Sequence, residues 1–471
     1  MKIVLAFDFG ASSGRAIKAV FDGEKIAYEE IHRFDNIPIQ KDGHTYHNVD
    51  MIFGEIKKAI DKAGKVDSLA FDTWGVDYGL FDKEGRLINQ PYHYRDCRTE
   101  NAVEEVAKKQ DLSELYRLTG NQIMGINTLF QLVSEDNLDK ADKIIFMPDL
   151  FGYLLTGNAV SEYSIASTSQ MLNPVTRQWC SEITDKFGID TSKFPPLKNS
   201  STVLGEYKGI KVISVAGHDT QCAVCAMPNT SGSNAFLSCG TWSLIGCELD
   251  EPILTDESNR LELSNELGAN GKVNFLKNIS GLWLIQELKR NLAEKGEKYS
   301  YNDLECMARE SKPFEFFIDP DASELSRHND LIDKIKSYCG KTGQTEPKTV
   351  GEAVRTIYES LALKYRYALR QISECTGKKF DKLNLLGGGT KDSFLCQMTA
   401  DCLGIPVEAG PIEATALGNI VLQLIADGEI SSVDEGRKII AKTEQVKTYM
   451  PNHTMQWDEA YEKFVNIIEN N

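Results

Sequence analysis

The stretch from Ile3 to Arg15 reads IVLAFDFGASSGR. Ile3 to Phe7 is a continuous apolar run, as expected of a strand that is buried on both faces. Asp8 stands at the end of this strand, and Gly10 and Gly14 permit a tight hairpin with positive φ and close approach to the backbone. The stretch therefore predicts a buried first strand that turns back sharply.

The turn after Asp8 has groups that suit a phosphate. Ser12, Ser13 and the loop amides are donors for phosphate oxygens, and Asp8 is placed to hold a hydrated Mg²⁺. The turn is not a Walker A loop, because the pattern G-x-x-x-x-G-K-[ST] is absent. Taken alone, the motif fits a plain β-hairpin with polar tips equally well.

A similar order of elements occurs twice along the chain. The first half has predicted strands at 3–7, 15–21, 25–33 and 69–71 and a helix that Asp50 can cap and that ends at Gly64. The second half has predicted strands at 235–238, 243–247, 383–386 and 407 and helices at 354–372, 392–403 and 414–426. The 471 residues exceed the ~250–300 that one core holds. We expect an α/β protein of two similar domains, residues 1–230 and 231–471, with a cleft between them.

Two glycine-rich motifs lie in the second half. Ser238-Cys239-Gly240-Thr241-Trp242-Ser243 repeats the strand, the glycine turn and the hydroxyls of the first motif. Leu385-Leu386-Gly387-Gly388-Gly389-Thr390 is a strand that runs into three glycines and then a helix. Such a run lets a flat base or ribose lie against backbone, and a helix N-terminus favours anions. The alternatives are an unrelated hairpin and a flexible turn.

Asp219 is the candidate catalytic base. It follows the apolar run from Val212, in Val215-Ala216-Gly217-His218-Asp219-Thr220, where a helix begins. Aspartate is a preferred N-cap residue, and this explanation is sufficient for the motif alone. Beside two phosphate turns, however, a carboxylate here can orient a hydroxyl group and accept its proton during phosphoryl transfer.

Two aromatic stretches suit a sugar. They are Asp72-Thr73-Trp74-Gly75-Val76-Asp77-Tyr78 and Tyr92-His93-Tyr94-Arg95-Asp96. A sugar stacks its C–H face on aromatic rings and pairs its hydroxyl groups with polar side chains, although ordinary core packing also uses such residues. We expect His44 and His47 to be surface or substrate-rim groups, and Cys222 and Cys225 to be small buried thiols.

Composition limits the function classes. The net charge is −17, from 52 basic and 69 acidic residues, and no cluster of basic residues indicates a nucleic-acid partner. No apolar segment is long enough to cross a membrane. Eleven cysteines without a secretory signal indicate reduced thiols. We expect a cytoplasmic protein that acts on small molecules and binds neither nucleic acid nor membranes.

Together these motifs resemble the FGGY carbohydrate kinases over nearly the whole chain. The stretches that resemble the family are DFGASSGR, DTWGVDYG, YRD, AGHDT, SCGTWSLIG, KNISGLW with a following Gln, LGGG and GPIEATALGN. The resemblance implies two actin-like (ribonuclease-H-like) domains. It departs from the family at Thr390-Lys391-Asp392, where related kinases often have other polar residues.

The resemblance also implies a reaction and its site residues. The reaction is transfer of the γ-phosphate of Mg·ATP to L-rhamnulose; the alternatives are L-fuculose, L-xylulose and, from another class, a non-catalytic actin-like sugar sensor. The implied ATP contacts are Ala11, Ser12, Ser13, Gly14, Arg15, Thr241, Asn278, Gln286, Gly388 and Gly389. The implied substrate contacts are Gly75, His218, Asp219 and Thr220, with Asp219 as the base. Asp8 would hold Mg²⁺ through water.

Overall fold

The structure is a computed structural model that describes residues 1–10, 12–228, 230–326 and 329–470, apart from the side chain of Asn270. The strands are β1 (Lys2–Phe9), β2 (Ser13–Phe21), β3 (Ile26–Asp35), β4 (Ile39–Lys41), β5 (His44–Tyr46), β6 (Ser68–Thr73), β7 (Tyr78–Phe81), β8 (Lys143–Phe146), β9 (Ser161–Glu162), β10 (Leu172–Asn173), β11 (Gln178–Trp179), β12 (Leu197–Lys198), β13 (Thr202–Tyr207), β14 (Ile210–His218), β15 (Asn234–Cys239), β16 (Trp242–Leu249), β17 (Ser264–Leu267), β18 (Val273–Ser280), β19 (Lys382–Leu386), β20 (Val407–Ala409) and β21 (Lys447–Tyr449).

The α-helices are α1 (Val49–Ala63), α2 (Ala102–Ala107), α3 (Leu112–Thr119), α4 (Thr128–Val133), α5 (Met147–Thr156), α6 (Tyr163–Ala166), α7 (Ser181–Thr184), α8 (Asp219–Cys225), α9 (Asp256–Arg260), α10 (Trp283–Glu294), α11 (Tyr301–Glu310), α12 (Leu331–Lys341), α13 (Val350–Thr376), α14 (Ser393–Leu403), α15 (Ala414–Ala426), α16 (Val433–Thr443) and α17 (Thr454–Glu469). Short 3-10 helices occupy Cys97–Thr99, Ser167–Ser169, Thr191–Lys193, Ala269–Gly271, Ser323–Leu325 and Gly388–Lys391.

The first large sheet has the strand order β13-β14-β6-β1-β2-β3. β1 pairs antiparallel with β2 and parallel with β6, and β6 pairs parallel with β14. β1 is central, which explains its continuous apolar run: Val4 to Phe7 are almost completely buried. The carboxyl ends of the parallel strands β1, β6 and β14 therefore lie along one edge of this sheet.

The second large sheet repeats this topology. Its strands β18, β16, β15, β19, β20 and β21 are consecutive neighbours. β15 pairs antiparallel with β16 and parallel with β19, and β19 pairs parallel with β20. The internal duplication that the sequence predicts is therefore present in the strand order.

Helix α1 shows how local sequence sets the element boundaries. The side chain of Asn48, rather than the expected Asp50, caps it by accepting a hydrogen bond from the backbone N–H of Met51. Gly64 ends the helix with a φ of 66°, as expected. The buried face of α1 packs against the first sheet in a core that includes Leu5, Phe7 and Ile56.

Two compact units make up the chain. The first contains Met1–Asn229, Glu248–Phe275 and Glu413–Glu444, and the second contains Thr230–Cys247, Leu276–Ile412 and Gln445–Asn471. The chain passes from one unit to the other at several points, and one of them is the expected boundary near residue 230. The division into two continuous domains, 1–230 and 231–471, stays a prediction. Within the described residues, the structure has no helix that is long and apolar enough to span a membrane.

Candidate active site

Charged side chains form a row at the ends of the strands in the first sheet. Asp8 on β1 is the register partner of Arg15 on β2 and of Asp72 on β6. Register partners on neighbouring strands have their side chains on the same face of the sheet. Arg15, Asp8 and Asp72 therefore lie side by side.

Arg15 lies between two carboxylates. Its Nη2 and Nε donate to Asp8 Oδ2 at 2.6 and 3.0 Å, and its Nη1 forms an ion pair with Glu413, immediately before α15. Burial opposes the positive charge, but Asp8 and Glu413 outweigh it and raise the pKa of Arg15. The expected contact between Arg15 and a phosphate stays a prediction, and it would form while Arg15 is already paired.

Asp72 is a buried carboxyl group with one unpartnered oxygen. The residue is 0% exposed; its Oδ2 accepts a hydrogen bond from Asn419 Nδ2 at 2.7 Å, and its Oδ1 has no hydrogen-bond partner among the residues that the structure describes. Burial raises the pKa of Asp72 well above its ordinary value, and the negative charges of Asp8 and Asp219 act in the same direction. The sequence reasoning did not single out Asp72 or Asn419 as site residues.

Asp219 is the first residue of α8, at the end of β14, as predicted. Its Oδ1 accepts a hydrogen bond from the backbone N–H of Thr220 at 2.6 Å, and its side chain remains 35% exposed. Burial raises the pKa of Asp219, and Asp8 adds to this effect, whereas the neighbouring His218 lowers it. His218, not Asp219, occupies the N-cap position, and its side chain makes no capping hydrogen bond. Asp219 is therefore not the N-cap residue, although its carboxylate satisfies one backbone N–H of the first turn of α8.

His218 links Asp219 to a second carboxylate. Its Nδ1 lies 2.8 Å from Glu266 Oε2, and its Nε2 lies 3.4 Å from Asp219 Oδ1. Gln221 Nε2 donates to the same oxygen of Glu266 at 2.7 Å. Burial disfavours the charged imidazole, but Glu266 and then Asp219 raise the pKa of His218 to about 9. His218 is therefore a cation at neutral pH beside the candidate base.

Four stacked rings adjoin the DTWGVD segment. His47 stacks on Trp74 and on His93 with centroids 4.5 and 4.6 Å apart, and His93 stacks on Tyr94 at 4.5 Å. Asp77 accepts hydrogen bonds from Trp74 Nε1 at 2.9 Å and from the backbone N–H of Tyr94, and it lies 2.6 Å from His47 Nε2. The expectation that His47 is a surface group is therefore wrong: it is buried, because it completes this stack.

The turn at Gly75 and Val76 is held rigidly. Val76 has a φ of 67°, which is rare for a β-branched residue. Its N–H donates to Thr168 Oγ1 at 3.0 Å, and its carbonyl accepts from Thr128 Oγ1 at 2.7 Å. A Cβ on Gly75 would lie 3.3 Å from Thr168 Cγ2. The predicted substrate contact Gly75 therefore lies in a strained turn, and such turns often occur at ligand sites.

The structural reasons for glycine at positions 10 and 14 differ from those expected. Neither Gly10 nor Gly14 has a positive φ, so the predicted reason is wrong. A Cβ on Gly14 would approach the ring of Phe34 to 2.3 Å, and packing therefore requires this glycine. A Cβ on Gly10 would make only an ordinary contact, with Ser13 O at 3.6 Å, and the N–H of Gly10 donates to the carbonyl of Ser13 at 2.9 Å. The predicted contact Ala11 lies outside the described residues.

The second glycine turn joins β15 and β16 in the second unit. Gly240 N–H donates to the carbonyl of Trp242 at 2.8 Å, and Leu282 N–H donates to the carbonyl of Gly240 at 3.0 Å. Gly281 packs against this turn so closely that a Cβ on it would lie 2.7 Å from the carbonyl carbon of Trp242. A Cβ on Gly240 itself would meet only Trp242 O, at 3.8 Å. The KNISGLW segment therefore supports the turn from one side.

The three-glycine run follows β19. Gly387 has a φ of 84°, which favours glycine. A Cβ on Gly389 would lie 2.3 Å from Cys239 Sγ, whereas one on Gly388 would have nothing within 4 Å. Packing explains Gly389, and Gly388 leaves an open backbone surface.

The other predicted ATP contacts belong to the same two units. Ser12 precedes β2 and Ser13 begins it, Thr241 lies in the second glycine turn, Asn278 lies on β18, and Gln286 lies on α10. No ligand tests these roles, so all of them stay predictions.

Oxygen donors at the end of β1 fit a magnesium ion. Mg²⁺ prefers oxygen ligands and keeps several of its waters. Asp8 uses only Oδ2 for Arg15, and Asp72 Oδ1 is unpartnered. These carboxyl groups, with Asp219 electrostatically coupled to both, match the donor set that a hydrated hard cation requires.

Comparison with protein families matches both halves of the chain. Residues 3–227 match the N-terminal domain of the FGGY family of carbohydrate kinases, and residues 235–426 match its C-terminal domain. The rhamnulokinase of Bacteroides thetaiotaomicron is 39% identical, covering 98% of this chain and 99% of that protein. The rhamnulokinase of Bacillus subtilis is 37% identical, covering 95% of each.

Solved structures match the fold. A xylulose kinase from Lactobacillus acidophilus matches with a TM-score of 0.82 at 17% identity, covering 100% of this chain and 98% of that one. A xylulose kinase from Rhodospirillum rubrum matches with a TM-score of 0.79 at 16% identity, covering 100% and 99%. These likenesses confirm the predicted α/β class with two actin-like domains.

Proposed function

Because the chain belongs to the FGGY family of carbohydrate kinases, we propose that it phosphorylates L-rhamnulose. The products are L-rhamnulose 1-phosphate and ADP, and the reaction would serve the breakdown of L-rhamnose. Rhamnulokinases that match over nearly the full length of both chains support this substrate over L-fuculose and L-xylulose. A sugar kinase uses ATP and a sugar as its substrates, and membership of a kinase family favours an enzyme over the alternative of a non-catalytic sugar sensor.

The carboxylate of Asp219 supports the proposal most directly. In the proposed step, O1 of the ketose attacks the γ-phosphorus, the bond from this phosphorus to the β–γ bridging oxygen breaks, and ADP leaves. Asp219 orients the attacking hydroxyl group and accepts its proton. Its partly exposed side chain at the start of α8 is open to a sugar, and its raised pKa makes it a better base than an ordinary aspartate.

His218 favours the charged form of Asp219, which is the form that can accept a proton. A cation 3.4 Å from the carboxylate opposes the rise in the pKa of Asp219 that burial and Asp8 produce. Glu266 keeps His218 protonated and fixes its ring. We propose that His218 also contacts a sugar hydroxyl, together with Thr220 and Gly75.

We propose that Ser12, Ser13, Gly14, Arg15 and Thr241 contact the phosphates and that Asn278, Gln286, Gly388 and Gly389 contact the rest of the nucleotide. Backbone amides and hydroxyl groups are suited to phosphate oxygens. The open backbone at Gly388 supports this assignment, because a flat base or ribose can approach it closely.

Asp8 would hold Mg²⁺ through water. When bound, the ion would neutralise charge on the β- and γ-phosphates. Asp8 stays ion-paired with Arg15, which limits its own negative charge near the phosphates. We also propose a cytoplasmic location, in keeping with eleven cysteines that are free in the structure. Absence of nucleic-acid binding stays a prediction.

A ketose panel tests the substrate. ADP release would be measured with L-rhamnulose, L-fuculose, L-xylulose, D-xylulose and glycerol at equal concentrations. We expect the highest kcat/KM with L-rhamnulose. A higher value with another ketose would contradict the substrate but not the kinase activity, and no turnover with any acceptor would contradict both.

A further inference from the structure

Asp72 has a buried oxygen atom without a partner. The great majority of buried polar atoms in proteins are hydrogen-bonded, and an unsatisfied one costs ~1–3 kcal/mol, more when it is charged. Asp72 Oδ1 is such an atom, on a residue that is 0% exposed. Because this oxygen lowers the stability of the fold, packing alone does not explain why an aspartate stands at position 72.

The unpartnered oxygen belongs to the metal-binding end of the sheet. Asp72 is the register partner of Asp8 and shares its face. The charges of Asp8 and Asp219 both act on Asp72. Arg15 pairs with Asp8 at this end of the sheet, and Asp72 Oδ1 is left without a partner beside that pair among the described residues.

A chain of hydrogen bonds holds the other oxygen of Asp72. Asn419 Nδ2 donates to Oδ2 at 2.7 Å, Gln423 Nε2 donates to Asn419 Oδ1 at 2.8 Å, and Ser68 Oγ donates to Gln423 Oε1 at 2.7 Å. Asn419 is thus fixed as a donor, and Oδ1 alone remains free. This arrangement orients the carboxyl group before any ligand binds.

The position of Asn419 follows from the GPIEATALGN segment, which also carries Glu413, the ion-pair partner of Arg15. A Cβ on Gly418 would lie 1.8 Å from the backbone oxygen of Cys222, so α15 contacts α8 directly at this glycine. This contact fixes Asn419 relative to α8, whose first residue is Asp219. The segment therefore places Asn419 on Asp72 and sets the helix that begins with the base.

We propose that Asp72 is a second carboxylate of the magnesium site, whose Oδ1 accepts a hydrogen bond from a metal-bound water beside Asp8. Asn419 is its positioning residue. The inference rests on the proposed function only in requiring that a metal–nucleotide complex binds at Asp8; it does not depend on which sugar is phosphorylated.

The substitution Asp72→Asn tests this role without a change in size. Since Asn419 donates, the amide oxygen of the introduced side chain must face Asn419, and its NH₂ group takes the place of Oδ1. A donor there cannot accept from a metal-bound water. Loss of such an outer partner typically lowers metal affinity ~10–100-fold. We expect a loss in this range for Mn²⁺ in the full-length protein with saturating ADP and no sugar, measured from the EPR signal of free Mn²⁺.

Asp149→Asn is the matched control. Asp149 is also a buried carboxyl group in the first unit, but both of its oxygens are bonded, to Glu162 N and Ser214 Oγ. We expect its Mn²⁺ affinity to stay within twofold of the parent. If Asp72→Asn does not fold, Asp72→Ala has the same expected result, because it also removes the acceptor.

An Mn²⁺ affinity of a folded Asp72 variant within twofold of the parent would overturn the inference. So would an equal loss in Asp149→Asn, which would indicate a general effect of buried carboxyl groups. A protein that binds Mn²⁺·ADP through Asp72 but phosphorylates no ketose would contradict the proposed function and leave the inference standing.

Discussion

The β1–β2 turn and the β15–β16 turn have the same topology but different chemistry. At the first turn, Asp8 on β1 has the register partners Arg15 on β2 and Asp72 on β6, and all three are charged or ionisable. In the second, Cys239 pairs with Ser243, whose hydroxyl lies 2.8 Å from Tyr365, and the groups are neutral. Duplication of the fold therefore does not duplicate the chemistry: the strand ends at the first turn carry carboxyl groups that suit a cation, and the second turn has neutral side chains and backbone groups.

The largest expected effect is a loss of kcat on substitution of Asp219, the candidate base at the start of α8. Asp219→Asn keeps the size of the side chain and removes the proton acceptor. We expect kcat to fall ~10²–10⁴-fold with little change in the KM for the sugar, because general-base catalysis contributes about this factor. Steady-state kinetics measure both constants, with Asp149→Asn as the control. Turnover within a few-fold of the parent would remove Asp219 from its role.

Glu266→Gln tests the charged network through stability. The pKa of His218 is raised to about 9 from an ordinary 6.5, so its protonation stabilises the folded state fully below pH 6.5, and this contribution is lost as the pH rises through 9. Glu266 is its main partner; Asp219 and Glu162 also face it. We expect the variant to lose about 3 kcal/mol at most at pH 6, and much less at pH 9.5.

Urea denaturation at pH 6 and pH 9.5 measures this difference. The parent should lose more free energy of unfolding than the variant between these two pH values. Equal losses in the two proteins would contradict a charged His218 that depends on Glu266.

Substitutions at Gly388 and Gly389 test the neutral site of the second unit. Gly389→Ala would force a Cβ against Cys239 Sγ and should destabilise the fold by about 1–3 kcal/mol. Gly388→Ala meets nothing within 4 Å and should change stability by no more than ~0.5 kcal/mol, yet weaken ADP binding. Thermal unfolding and calorimetric ADP titration separate the two effects.

Cys239→Ala provides the control for packing. Combined with Gly389→Ala, it removes the sulfur that the new methyl group would meet and should restore part of the lost stability. If Gly388→Ala binds ADP as tightly as the parent, the open backbone at Gly388 is not a nucleotide contact.

The sequence predicted local elements well and long-range partners poorly. The helix expected at 414–426 is Ala414–Ala426, because its apolar pattern is local. Its grouping with the first unit rests on contacts such as Asn419 to Asp72, which are 347 residues apart, and no local pattern indicates them. Glu266 was missed for the same reason: it lies on the short strand β17, which carries no recognisable motif, and only the fold brings it to His218.

The candidate site was predicted where a motif combined a strand end with a distinctive residue. Asp8 and Asp219 satisfy this condition, and both lie where the sequence indicated. Asp72 satisfied it as well, at the end of β6, but was considered only as part of an aromatic stretch. The glycines show what the sequence could not supply. A glycine at position 14 indicates that a larger side chain does not fit, but only the structure shows that the ring of Phe34 fills the space.

The position of the phosphate on the sugar product shows whether the protein transfers the γ-phosphate of ATP to O1 of L-rhamnulose. L-Rhamnulose labelled with ¹³C at C1 would be incubated with ATP, Mg²⁺ and the full-length protein and followed by ¹³C and ³¹P NMR. We expect a phosphorus coupling on C1, equimolar ADP and no such product with Asp219→Asn. Phosphate on another carbon, or release of inorganic phosphate without a sugar phosphate, would contradict it.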